Sequence, residues 1–227
     1  MNAATRFVTS VRGLAFENVF NPYADSCPVH DKVDASAVRY STFRSIFEAA
    51  ALGGIHSLWV GRDLGYRGGR RTGLALTDDA HVTAHAARWG IQAERCTKGA
   101  PVKERTAALA WSILDEVELP VFLWNVFPFH PHEPGRPFTN RSHRASERAV
   151  GEEILRELLE ILRPERVVAL GNDAASCVAR LAPKECVRVR HPSYGGQADF
   201  LRQMNDIYGP CRVSKKQADL FGVGIRH

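Results

Sequence analysis

Three short stretches carry side chains able to do chemistry. Asp63 closes "GRD" at 61–63, Asn125 closes "FLWN" at 122–125, and His191 opens "HPSYGG" at 191–196. A carboxylate can orient a water molecule or stabilise a developing cation. A carboxamide offers a donor and an acceptor side by side to a planar, amide-like ring. A neutral imidazole can donate a hydrogen bond to an oxygen that gains negative charge. Each residue also has a structural reading. Asp63 can form an Asx-turn or cap a helix, and His191 before Pro192 can be a satisfied loop histidine. Asn125 can be held by a structural hydrogen bond, because a buried amide left unpaired costs roughly 1–3 kcal/mol.

The three become persuasive together if one sheet presents them. Four short runs, "SLWVG" (57–61), "VFLWN" (121–125), "RVVALG" (166–171) and "VRVRH" (187–191), are mostly apolar or β-branched and end abruptly in a polar or turn-forming residue. Strands buried on both faces of a parallel sheet have this pattern. Helical spacing fills the gaps. Val38, Phe43, Ile46 and Phe47 share a face ahead of the first run, and "KERTAALAWSILDEV" precedes the second. Ile154, Leu155, Leu158, Leu159 and Leu162 form a stripe that Pro164 stops, and "NDAASCVARL" follows the third run. The alternation predicts an α/β fold, a three-layer α/β/α sandwich around a four-stranded parallel sheet. Ligands of such folds bind outside the carboxyl ends of the strands, where strand order switches, and the three residues stand at strand ends.

With 227 residues and 44% hydrophobic content the chain suits one domain, 1–227, with a core from about 40 to 208 and extensions at either end. No apolar run reaches the roughly 18 residues of a membrane helix. The net charge of +5 permits a polyanionic partner. Arg67, Arg70, Arg71, Arg136, Arg141, Arg144, Arg188 and Arg190 fall in expected loops or beside strand ends, where they suit phosphate contacts or simple solvation. Five scattered cysteines without a C-x-x-C pair fit unpaired thiols in a reducing compartment. "CPVH" (Cys27, His30) and "HPHE" (His130, His132, Glu133) have ligand chemistry but no second cluster, so neither a metal nor another cofactor is expected. The acid-poor N-terminus faintly resembles a transit peptide yet reads as part of the mature protein. Leu220 and Phe221 of the C-terminal tail are candidates to dock on the body.

At this point the motifs resemble those of the uracil-DNA glycosylase superfamily, over about residues 40–208. "GRDLG" is similar to its water-activating loop, "GLAL" from Gly73 to a Gly-Leu-Ala-aromatic segment, "FLWN" to the strand ending in a uracil-reading Asn, and "HPS" to its second motif. The resemblance implies that Asp63 positions water and favours a cationic sugar, and that His191 stabilises the departing uracil anion. It implies that Asn125 reads uracil, with Gly61, Arg62, Leu64, Gly65 and Leu76 around the base. The loop after His191 would enter the minor groove with Tyr194 as a wedge, while Ser193 and Gly195, with Arg67, Arg70 and Arg71, would touch DNA.

The implied partner is uracil-containing DNA, handled by a monomer in the cytoplasm of a bacterial-type cell or another intracellular site holding DNA. The departures from the family pattern are specific. Leu76 stands where many members carry a stacking ring, Gly65 where selective members carry a Tyr, and Leu64 where a Pro is usual. Phe127 or Phe129 could supply the stacking, and Arg70 or Arg71 could substitute for the ring. A glycosylase for hypoxanthine, xanthine or mispaired thymine, and a non-catalytic binder of uracil-containing DNA, are the alternatives.

Overall fold

The computed structural model describes residues 2–181, 186–193 and 195–209. In chain order its elements begin with α1 (Ala3–Arg12), β1 (Val19–Phe20), α2 (Ala35–Gly53), β2 (Ser57–Asp63) and the single turn α3 (Gly69–Thr72). α4 (Val82–Ala87), α5 (Arg105–Leu114), β3 (Val121–Phe127), β4 (His130–Pro131) and α6 (Ala145–Leu162) follow. β5 (Arg166–Leu170), α7 (Asn172–Leu181), β6 (Cys186–Val189) and α8 (Gln197–Tyr208) complete them.

The four expected strands form one parallel sheet in the order β3-β2-β5-β6. The chain steps one way from β2 to β3 and the other way from β2's far neighbour β5 to β6. The order therefore switches between β2 and β5, and the ligand cleft of such a sheet opens there. Strand alternation divides the core. Leu58, Val60, Phe122, Trp124, Val167 and Ala169 face a cluster built with Phe7, Phe43, Phe47, Leu155 and Val178. Trp59, Leu123, Val168 and Leu170 face the opposite cluster with Leu109, Ile113, Phe200 and Met204. The three-layer α/β/α sandwich is thus present, with α1, α2, α6 and α7 on one face and α5 and α8 on the other.

Several details depart from the sequence reading. Val38, expected on the apolar face of α2, is 39% exposed, and Ala35 and Arg39 take that face with Phe43, Ile46 and Phe47. The N-terminal extension is an ordered helix whose Phe7, Val8 and Val11 are buried. It begins at an Asn2 cap, whose side-chain oxygen accepts from the Thr5 N–H at 2.7 Å. Short antiparallel pairing of β1 with β4 ties the segment after α1 to "HPHE". No helix among the described residues is long and apolar enough to cross a membrane. Leu220 and Phe221 lie outside the described residues.

Candidate active site

β3 and β6 flank the two central strands, so their ends stand about 14 Å apart at the usual interstrand spacing of 4.7–4.9 Å. Two glycines close that gap. Gly61 of β2 is the register partner of Asn125 on β3. A Cβ at Gly61 would lie 2.3 Å from Asn125 Oδ1, so only a glycine lets the amide lie over the neighbouring strand. On the other side a Cβ at Gly171, just past β5, would meet His191 Cβ at 3.1 Å, and Gly171 has a φ of +88°. The histidine from the last strand therefore leans over the end of β5 as Asn125 leans over β2. Both come inward toward the switch point.

Their polar atoms are available there. Asn125 is 2% exposed, and among the described residues its amide has no hydrogen-bond partner. The amide is therefore left for water or a ligand to complete. His191 Nδ1 accepts from the Ser193 N–H at 3.2 Å, which leaves the proton of the neutral ring on Nε2. Burial, helped by the charges of Arg62 and Arg190 and opposed by Asp173, lowers the His191 pKa and keeps the ring neutral.

Asp63, at the end of β2, is in a different state. Its side chain is 6% exposed. Oδ2 accepts from Arg62 Nε at 2.7 Å, and Oδ1 pairs with His143 Nδ1. Arg62 also reaches Asp173 in the first turn of α7, at 3.1 Å, which links the Asp63 corner to the charges around His191. A carboxylate has about four lone-pair sites, so Asp63 can still accept from a water. If His143 donates from Nδ1, its Nε2 carries a lone pair that no described residue occupies.

His143 lies among Arg136, Arg141 and Arg144 in "GRPFTNRSHR" (135–144). Its meeting with Asp63 depends on the path of the loop before α6, and no local pattern in the sequence announces it. Leu76 faces Gly61, with its Cδ2 3.7 Å from the Cβ position there. It adopts the left-handed region at φ +52°, and the Trp111 indole donates to its carbonyl at 3.1 Å. Strain of this kind collects at functional sites. Phe127 and Phe129 do not stack in the cleft, because both are fully buried and pack edge to face with each other at 5.2 Å.

The arginines separate by partner. Arg71 is buried and tied to Asp79 at 2.6 Å, so it is presented neither to DNA nor to the base. Arg70 is also buried, its guanidinium carbon 4.0 Å from the Phe20 ring centre and 5.1 Å from that of Phe138. Neither takes the place of a ring at Leu76. Arg67 is exposed and donates to the Tyr66 hydroxyl at 2.8 Å. Leu64 is buried in the α5/α8 cluster, and its N–H donates to the Phe129 carbonyl at 3.1 Å. Ser193 is half-buried, Gly195 is exposed with φ +77°, and Tyr194 lies outside the described residues. The histidines of "HPHE" serve the loop: His130 Nε2 bonds the Thr139 carbonyl at 2.9 Å and His132 Nδ1 the Glu133 carbonyl at 3.0 Å.

Comparison with known proteins gives a consistent result. The family described as the uracil DNA glycosylase superfamily matches residues 60–207, which span the site from β2 to α8. Wild-type SMUG2 of Pedobacter heparinus has a similar crystal structure, with a TM-score of 0.58 over 91% of this chain and 97% of that one. Sequence identity to it is 15%, so this likeness concerns the fold. Among curated proteins no sequence matches the chain.

Proposed function

The chain belongs to the uracil-DNA glycosylase superfamily, and on that premise we propose that this DNA glycosylase releases uracil by hydrolysing the bond between base and deoxyribose. The observation that supports this most is the Asn125 amide, buried, unpaired and set over Gly61. Uracil presents a donor at N3 and an acceptor at O4, which an amide matches edge to edge, whereas cytosine presents the wrong groups.

A base within a duplex is out of reach of this cleft, so the nucleotide must leave the stack at a cost of a few kcal/mol. As the C1′–N1 bond breaks, its electron pair stays with uracil and positive charge grows on the sugar. His191 Nε2 donates to O2 of the uracil anion. Asp63 faces the cationic sugar and accepts from the attacking water. The water oxygen bonds to C1′, and its proton passes to the Asp63–His143 pair. The product is an abasic site in an intact strand. Arg67, Ser193 and Gly195 are candidates for contacts to the DNA backbone, where exposed cations and amides act with little regard to sequence.

The test uses end-labelled oligonucleotides with one uracil, single-stranded or opposite guanine or adenine, with chelator present. The expected result is free uracil and a strand that breaks only after alkali, with both reduced by Asp63→Asn and by His191→Ala. An intact strand with retained preference for uracil-containing DNA in a gel shift would instead establish a binder without turnover.

A further inference from the structure

Glu104 stands immediately before α5, yet its side chain makes no capping bond to that helix. Its N–H donates to Asp78 Oδ2 at 2.7 Å, which fixes the backbone and sends the side chain toward the loop after Asp63. There the carboxyl lies against two glycines. A Cβ at Gly65 would meet Oε1 at 2.6 Å, and a Cβ at Gly68 would meet Oε2 at 2.1 Å and the Thr77 carbonyl at 3.6 Å. Gly65 is two residues beyond Asp63, and Thr77 follows Leu76, whose side chain faces Gly61 beside Asn125. The carboxyl thus sits against the loop that follows Asp63, close to the Thr77 end of the segment that carries Leu76. Among the described residues it has no hydrogen-bond or ion-pair partner.

Resting on the uracil reading above, we propose that Glu104 is a specificity-determining residue, its carboxyl forming the pocket wall over Gly65 and Gly68 and excluding bases that carry a methyl group there, thymine above all. A methyl pressed on this wall would collide with the carboxyl and strip water from it without supplying a partner. A hydrogen at the same ring position leaves the carboxyl in place. The surroundings raise the share of neutral acid near pH 7. Burial, then the negative charge of Asp78, push the Glu104 pKa up to about 7 against the opposing charge of Arg67, while His81 is held on Asp78 at 2.6 Å.

The experiment compares single-turnover release of thymine and of uracil, each opposite guanine, by the wild type, Glu104→Ala and Glu104→Gln. Circular dichroism checks that each variant folds. In parallel, fluorescence anisotropy measures binding of the same two duplexes in an Asp63→Asn background. The expected result is a thymine-to-uracil ratio that rises roughly tenfold to two-hundredfold in Glu104→Ala, the range a methyl-sized difference in a pocket supports. Glu104→Gln, which keeps the shape, should hold the wild-type ratio. A folded Glu104→Ala protein whose ratio stays at the wild-type value, in release or in binding, overturns the assignment. If the wild type releases no uracil, the uracil reading fails on its own, and the binding ratio still decides whether Glu104 is the wall.

Discussion

The flanks and the centre of the cleft treat their polar groups in opposite ways. On the flanks, Asn125 of β3 has no hydrogen-bond partner among the described residues and His191, after β6, keeps Nε2 uncommitted, each seated over a glycine at the end of the neighbouring strand. At the end of β2, Asp63 has both oxygens engaged, one by Arg62 and one by His143. The difference matches what the proposed reaction asks of each. A group that recognises a ligand gains discrimination by being incomplete without it, since a wrong base leaves it unpaired. A group that meets charge only in the transition state gains from being held in place beforehand.

The largest effect should come from the centre. Asp63→Asn should lower the single-turnover rate of uracil release by about 10²–10⁴, the range for a lost acid–base group. Asn125→Ala should cost about 10²–10³, as loss of a donor to a developing anion does. The same substitution should leave the melting temperature undiminished, because it removes a buried amide that has no partner. A clear drop in melting temperature would mean the amide is structural and would break the contrast between the flanks and the centre.

His143→Ala should slow release by roughly tenfold to a hundredfold while leaving DNA affinity unchanged, since it loosens Asp63 without touching the base. An unaffected rate would show that Arg62 alone suffices. The smallest effect concerns stability and pH. The raised pKa of Glu104 means that folding favours its protonated form. Its contribution is therefore full below the ordinary glutamate range and is lost as pH rises through about 7. Thermal melts should show Glu104→Gln stabilised relative to wild type at pH 8, with the gain absent at pH 4.

The parts of this arrangement legible in the sequence are those fixed by short-range pattern. β2, β3 and β5 announce themselves because strands covered on both faces must be apolar, and Asp63, Asn125 and His191 stand out as polar residues where such runs end. Gly171 stands at the turn from β5 into α7, and its service to His191 emerges only when β5 and β6 are paired. His143 and Glu104 stay hidden because one meets Asp63 and the other meets Gly65 through a loop or helix start whose path no periodicity encodes. The arginines show the same limit. Arg67, Arg70 and Arg71 share one glycine-rich stretch, yet Asp79 takes Arg71 and aromatic rings enclose Arg70, leaving Arg67 to solvent. Val38 fits a helical stripe and still faces outward, because α1 and the core cover the neighbouring arc of α2 instead.

The central claim is that the Asn125 amide over Gly61 reads uracil, and base release under single-turnover conditions tests it most directly. Oligonucleotides carrying uracil or cytosine at one position would be given to the wild type, Asn125→Ala and Gly61→Ala, with the freed base identified by mass spectrometry. The expected result is uracil released and cytosine retained by the wild type. Uracil release should be slowed by about 10²–10³ in Asn125→Ala and reduced in Gly61→Ala, where a Cβ displaces the amide. Equal release of uracil by all three proteins would contradict the claim.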